Sequence, residues 1–352
     1  MANTRRLVVA PNWIGDMLMA HALLARLHAD APHSPIDVLA PASMLPLLRR
    51  MPEVAQAIAS PAAVHGKLLL KQRWQQAREL SQHGYTDAWV LPNSMKSALI
   101  PFLAGIPRRI GYVGESRYGL LNVIHRLSRS HPAPMLERYL ALSRTPRAAV
   151  FNATATPSAP ATQLHTDSKS QALTLQALGL APPSTDQSIV ALCPGAEFGS
   201  AKRWPIDHFA LLSKELTAIG MTVWLIGGPA DRTAATEITH RAGVSIYNLC
   251  GRTDLAQAID LLALASVVVS NDSGLMHMAA SLGRPLVALF GSSSPLHTPP
   301  RMALGAPAAR IQYLGLECSP CFARECPLGH LRCLQELSVT RVFNETRACA
   351  GQ

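Results

Sequence analysis

The sequence predicts an α/β protein made of two doubly wound domains in succession, and three observations carry that prediction. Short apolar runs alternate with longer stretches of helix formers, the pattern of a parallel sheet covered by helices. The alternation stops at a segment dense in Ala, Thr, Pro and Ser (FNATATPSAPATQLHTDSKS) and restarts after it. At 352 residues, 48% hydrophobic and 15% charged, the chain is long enough for two domains with a core each. The expected bounds are 1–150, a connection at 151–170, and 171–352.

In the first half, Arg6–Ala10 (RLVVA) reads as a buried strand and Pro11–Asp16 as the loop after it. Met17–Ala29 follows as a helix of good formers without internal Gly or Pro. Ile36–Leu39 and Ala88–Leu91 are further strands. After the connection, Ile189–Cys193 is a strand that runs into the loop Pro194–Lys202. Asp207–Ile219 is a helix that Gly220 can end, and Met221–Ile226 the next strand. Leu255–Ala265 and Leu275–Leu282 read as helices, Val267–Val269 and Pro285–Phe290 as strands. Doubly wound domains bind ligands at the carboxyl ends of their strands, so a cleft between two of them is the expected site.

Composition removes several classes. The chain is too apolar to be disordered, and its longest apolar stretches, such as Leu261–Val269, fall short of the ~20 residues that span a bilayer. The apolar run after Arg5 and Arg6 stops at Pro11, too soon for a secretory signal, and seven Cys without an export signal suit a reducing cytosol. The net charge of +10 is one-sided: residues 1–150 hold 18 Lys and Arg against 8 Asp and Glu, and residues 151–352 hold 14 of each. A field of this kind attracts an anionic partner, whether nucleic acid, membrane or acidic substrate; an Arg-rich composition with no partner in view gives the same count.

Three loops place small or polar residues where chemistry could sit. In Ser270–His277 (SNDSGLMH), Ser273 and Gly274 leave backbone N–H groups at a helix start, a phosphate site, and His277 follows one turn on. The competing reading is that Asp272 or Ser273 caps the helix and His277 packs in the core. In Pro194–Lys202, Gly195 and Gly199 allow close backbone approach and Lys202 offers a compact cation. Neither the P-loop spacing nor GxGxxG is present, which argues against NAD. In the N-terminal loop, Asp16 is either a general base or an N-cap.

Four stretches occur together in order: Pro11-Asn12-Trp13-Ile14-Gly15-Asp16-Met17, Leu91-Pro92-Asn93-Ser94-Met95-Lys96-Ser97-Ala98, Pro194–Gly199 with Ala201–Pro205, and Asn271–His277. This set resembles the ADP-heptose:lipopolysaccharide heptosyltransferases and, within them, the branch that adds the second inner-core heptose. The resemblance spans nearly the whole chain. It implies a GT-B fold of two Rossmann-like domains, and inverting transfer of heptose without a metal to heptosyl-Kdo2-lipid A. It implies a peripheral enzyme on the cytoplasmic face of the inner membrane. It makes Asp16 the base that deprotonates the acceptor hydroxyl and Lys202 the lysine on the donor phosphates. Gly15, Glu197, Phe198, Asp272, Ser273, Gly274 and His277 complete the expected donor site. A lysine, a helix N-terminus and a histidine would meet the charge that develops on the leaving nucleoside diphosphate. The family's acceptor side is the N-terminal domain, where Lys96, Arg108, Arg109 and Arg117 are the candidate contacts for an anionic lipid.

One feature falls outside that frame. Cys318, Cys321, Cys326 and Cys333, with His330 between the last two, could hold a structural zinc or be reduced thiols in a loop. The rival functions are a transferase of the first-heptose type, another GT-B sugar-nucleotide enzyme such as an epimerase, and a basic nucleic-acid-binding protein. The low aromatic content of 5% and the lack of aromatic-interleaved basic runs argue against the nucleic-acid reading.

Overall fold

Apolar runs too short for helices become parallel strands in both halves of the chain. The computed structural model describes residues 4–60, 67–127, 133–146, 160–184 and 187–351. The chain divides into two units, Met1–Thr162 and Gln163–Gln352. The first runs β1 (Arg5–Val9), α1 (Ile14–Asp30), β2 (Ile36–Ala40), α2 (Leu45–Leu48), β3 (Val54–Ala59), α3 (Leu70–Leu80), β4 (Tyr85–Val90), α4 (Met95–Leu103), β5 (Arg108–Tyr112), β6 (Val123–His125) and α5 (Met135–Ala141). Its sheet has the order β3-β2-β1-β4-β5-β6, all pairs parallel, with Val8 facing Val38 on one side and Trp89 on the other. Leu7, Val9, Leu39, Ala88 and Val90 form its core with the inner faces of α3 and α4.

The second unit repeats the plan: α6 (Ser168–Leu178), β7 (Ile189–Cys193), α7 (Ile206–Ala218), β8 (Thr222–Leu225), α8 (Arg232–Ala242), β9 (Tyr247–Asn248), α9 (Leu255–Leu264), β10 (Val267–Asn271), α10 (Gly274–Ser281), β11 (Leu286–Leu289), β12 (Arg310–Gln312), α11 (Arg332–Gln335) and α12 (Val339–Ala350). Its parallel sheet is ordered β12-β11-β10-β7-β8-β9. Strand order therefore reverses between β1 and β4 in one unit and between β7 and β10 in the other. At such switch points the loops leaving the two strands splay apart and open a crevice.

Three boundaries shift in ways that matter. Helix α1 begins at Ile14, with Trp13 as its N-cap residue, so Gly15 and Asp16 lie inside the first turn rather than in a loop. Helix α6 takes up residues 168–170, because the Asp167 side chain accepts a hydrogen bond from the Ser170 N–H and caps it. Residues 151–159 of the expected connection lie outside the described residues. Arg108 and Arg109 open strand β5, at the amino end of a parallel sheet.

Candidate active site

The second unit's crevice is built from the loops after β7 and β10, joined by one side chain. Asn271 donates from Nδ2 to the Pro194 carbonyl at 2.7 Å, and its Oδ1 accepts the Trp204 N–H at 3.1 Å. Across this staple, the Lys202 ammonium donates to Asp272 Oδ2 at 2.6 Å, with Asp272 almost fully buried and Lys202 partly buried. The Thr298 hydroxyl also reaches that oxygen. The Lys202 ammonium lies 5.2 Å from the Phe198 ring centroid, and the Arg324 guanidinium 5.3 Å from the same ring. Glu197 is exposed beside them.

Asp272 thus spends its carboxylate on Lys202, and Ser273 stands as the N-cap residue of α10 without a side-chain capping bond. The N–H groups that open α10 lack the hydroxyl cap that Ser273 would ordinarily supply. A charged lysine beside a helix start suits an anion such as a diphosphate. His277 lies one turn in, but it is not a cation: burial, chiefly, pushes its pKa down to about 4 against the opposing pull of Asp272. The imidazole is neutral near pH 7, so the charge expected of it falls to Lys202 and the helix.

Gly195 and Gly199 do permit close approach, but of the protein to itself. A Cβ on Gly195 would collide with the Asp231 carboxylate, and one on Gly199 with the Arg324 carbonyl. That carbonyl accepts the Ala201 N–H at 3.0 Å, and the Phe322 N–H donates to the Ser292 carbonyl at 2.7 Å. The Cys-rich segment therefore buttresses the Lys202 loop. Cys318, Cys321, Cys326 and Cys333 are free thiols that line one hollow with His330, Ala201 and Ser292. The Leu331 N–H, bonded to the Cys326 sulfur, pulls that thiol's pKa down, whereas burial pushes Cys333 up. Among the described residues, no group of three or more His, Cys, Asp or Glu side chains is arranged to hold a metal ion.

In the first unit the crevice is a solvent-open hollow of about 480 Å³ at the carboxyl ends of β1, β2 and β4. Asn12, Pro41, Ser60, Arg73, Ser94 and Lys96 line it. Asp16 stands nearby in sequence, in the first turn of α1, and its charge is felt at Tyr139, whose phenol is pushed well up by burial and, second, by Asp16. An N-cap role for Asp16 is excluded, since Trp13 occupies that position.

Three of the four expected acceptor contacts are engaged elsewhere. Arg117 is 1% exposed and donates to the carbonyls of Tyr112, Pro92 and Ser94, so it braces the loop carrying Lys96. Arg108 pairs with Asp87 at 2.6 Å, and Arg109 donates to the carbonyls of Ile106 and Leu120. Both start β5, at the opposite end of the sheet from Lys96. Only Lys96 of the four lines the hollow. Arg73 joins it there, nearly buried, donating to the Leu68 and Lys96 carbonyls. Arg73 carries little sequence signal, one Arg in a polar helix, and although Asn271 opens the Asn271–His277 stretch its stapling role has no local pattern.

Residues 73–332 match glycosyltransferase family 9 (heptosyltransferase). The lipopolysaccharide heptosyltransferase 2 of Escherichia coli K12 is 44% identical over 301 residues, 84% of either chain. The chain belongs to glycosyltransferase family 9. The lipooligosaccharide heptosyltransferase 2 of Haemophilus ducreyi is 43% identical over 84% of this family member and 85% of its own length. The solved structure of the E. coli ADP-heptose lipopolysaccharide heptosyltransferase II superposes with a TM-score of 0.85 at 39% identity, covering 99% of both chains. The family 9 transferase of Veillonella parvula shares the fold at a TM-score of 0.83 and 18% identity. The protein is a glycosyltransferase with the GT-B α/β fold, and neither the epimerase nor the nucleic-acid reading stands.

Proposed function

We propose that this family 9 enzyme transfers heptose from ADP-L-glycero-D-manno-heptose to the first heptose of the inner core, heptosyl-Kdo2-lipid A, with inversion and without a metal ion. The observation that carries the reading is the part-buried Lys202–Asp272 pair beside the start of α10. An ammonium has three N–H donors, and the bond to Asp272 uses one. The pair thereby aims Lys202 at a diphosphate seated on the α10 N–H groups. Negative charge that builds on the departing ADP is met by donors already in place. His277 supplies hydrogen bonding as a neutral ring, and Gly15, Glu197 and Phe198 border the donor. Asp16 takes the proton of the attacking hydroxyl as the sugar–oxygen bond forms.

On the acceptor side, Arg73 and Lys96 hold an acidic group of the core in the first unit's hollow, while Arg117 keeps the Lys96 loop in shape. No helix among the described residues is long and apolar enough to cross a membrane. The enzyme works as a peripheral protein at the cytoplasmic face of the inner membrane, where its lipid acceptor resides. The four-cysteine segment serves as a reduced buttress of the donor loop; zinc analysis of dialysed protein would give a stoichiometry near zero, and a value near one would make it a zinc site.

The deciding experiment incubates the protein with ADP-heptose and a one-heptose acceptor in the presence of a chelator. The expected products are ADP and a two-heptose core whose new linkage has the opposite anomeric configuration to the donor. Transfer only to a heptose-free acceptor would assign the enzyme to the first-heptose reaction instead. Loss of transfer under chelation would overturn metal independence.

A further inference from the structure

We propose that the outward faces of α3 and α4 form the surface that docks on an anionic lipid bilayer. The inference rests on the reading above, in which the acceptor is a membrane lipid. Helix α3 is two-sided. It buries Arg73, Gln76, Ala77 and Leu80 and turns Leu70, Trp74 and Arg78 outward at i, i+4, i+8 spacing. Leu70 is 58% and Trp74 53% exposed, large apolar side chains that a water-facing helix does not need. The Arg78 guanidinium lies 5.7 Å from the Trp74 ring centroid, and Lys67 and Lys71 are exposed at the same end. Glu79 is the sole carboxylate within α3.

Helix α4 packs beside α3 and repeats the arrangement, with Met95, Phe102 and Leu103 exposed and the Arg109 guanidinium 5.4 Å from the Phe102 ring. A single exposed leucine is ordinary. Adjacent helices that both present apolar stripes fringed by cations are the composition of an interfacial surface. There the rings and aliphatic chains enter the headgroup boundary and the basic groups remain among the phosphates. Charge complementarity selects the partner: the first unit carries the whole +10 of the chain, and residues 151–352 are neutral in sum. An anionic bilayer answers such a surface, each basic residue near it strengthening binding roughly fivefold.

The test uses the full chain and vesicles of phosphatidylglycerol mixed with phosphatidylcholine, against vesicles of phosphatidylcholine alone. Leu70→Ser with Trp74→Ser should weaken binding to the anionic vesicles roughly tenfold or more. Lys67→Glu with Lys71→Glu should do the same and also lessen the salt dependence. All four side chains are exposed, so the circular dichroism and melting of both variants should match the wild type. kcat/KM on vesicle-embedded acceptor should fall with binding, while turnover of a de-acylated, water-soluble acceptor and affinity for ADP stay unchanged. Undiminished vesicle binding in both variants, or equal binding to the neutral vesicles, would overturn the proposal. So would a wild-type dimer that Leu70→Ser with Trp74→Ser converts to monomer while vesicle binding persists, which would make the stripe a self-association face. If the variants lose vesicles but neither acceptor is ever turned over, the docking surface stands and the acceptor assignment fails.

Discussion

Replacing Lys202 by alanine should do more harm than the loss of one cation, because it uncovers a buried anion. In the wild type the ammonium sits 2.6 Å from Asp272 Oδ2, whose side chain is only 4% exposed. A charge-assisted hydrogen bond to a phosphate oxygen is worth about 1.5–3 kcal/mol, and Lys202→Ala forfeits it. It also leaves the Asp272 carboxylate facing the diphosphate with nothing between. A lysine bridging two oxygens holds them roughly 5 Å apart, and at an effective dielectric of ~20 two unit charges at that separation repel by about 3 kcal/mol. The sum, about 4.5–6 kcal/mol, would raise the ADP dissociation constant roughly 10³–10⁴-fold, and relaxation and water entry reduce the expected rise to roughly 10²–10³-fold.

The double variant separates the two contributions. Lys202→Ala with Asp272→Asn removes the repulsion but restores no cation, so it should bind ADP at least about tenfold more tightly than Lys202→Ala alone. Calorimetric titration of ADP into the four proteins of this cycle is the assay, with thermal melts to establish that each is folded. Additive losses, with the double variant weaker than either single one, would refute the reasoning. Asp272 would then touch the donor on its own account rather than through Lys202.

Three further outcomes follow from the same geometry. Asp16→Asn should lower kcat by ~10²–10⁴-fold with ADP affinity intact, in single-turnover assays beside calorimetry; a parallel loss of ADP affinity would remove it as the base. Lys96→Ala should raise acceptor KM roughly tenfold, and Arg73→Lys should raise it less, whereas Arg108→Gln should leave it unchanged; steady-state kinetics with varied acceptor decides, and an Arg108 effect equal to that of Lys96 would restore the sequence expectation. His277 is neutral when folded, with its pKa pushed down to about 4 by burial, against 6.5 for the free side chain. The unfolded chain therefore binds the extra proton first, and the folded state loses stability as pH falls from about 6.5 toward 4, by on the order of a few kcal/mol. His277→Gln should flatten that part of the stability–pH curve in denaturant titrations, and an unchanged slope would assign it to other groups.

The strands legible in the sequence are those buried on both faces. Strands β7 (IVALC) and β10 (VVVSN) are buried along their whole length, and the apolar runs Ile189–Cys193 and Val267–Val269 announce that, although the buried Ser270 and Asn271 that end β10 do not. Strand β3 (VAQAIA) is partly exposed and β5 opens with two arginines, so neither produces a clear run. The motifs likewise located Lys202 and Asp272 but not their bond, which joins residues 70 apart in the chain.

Net charge and local contact are separate quantities in the first unit. Arg6, Arg73 and Arg117 are each at most 5% exposed, and their guanidiniums donate to backbone carbonyls, Arg6 to that of Ala31 and Arg117 to that of Tyr112. An arginine used as a five-donor brace still contributes its full charge to the field at a distance, since Coulomb's law takes no account of what the hydrogen bonds hold. The +10 of the first unit thus bears on how an anionic acceptor or membrane is attracted, and on how salt slows that encounter. On the function proposed above, which cations touch the acceptor is decided separately, by which side chains line the hollow at the carboxyl ends of the strands. Mutating a surface arginine at the amino end should therefore shift the salt dependence of association slightly, too little to move acceptor KM at a fixed salt concentration, whereas mutating Lys96 should alter both the association and the bound geometry.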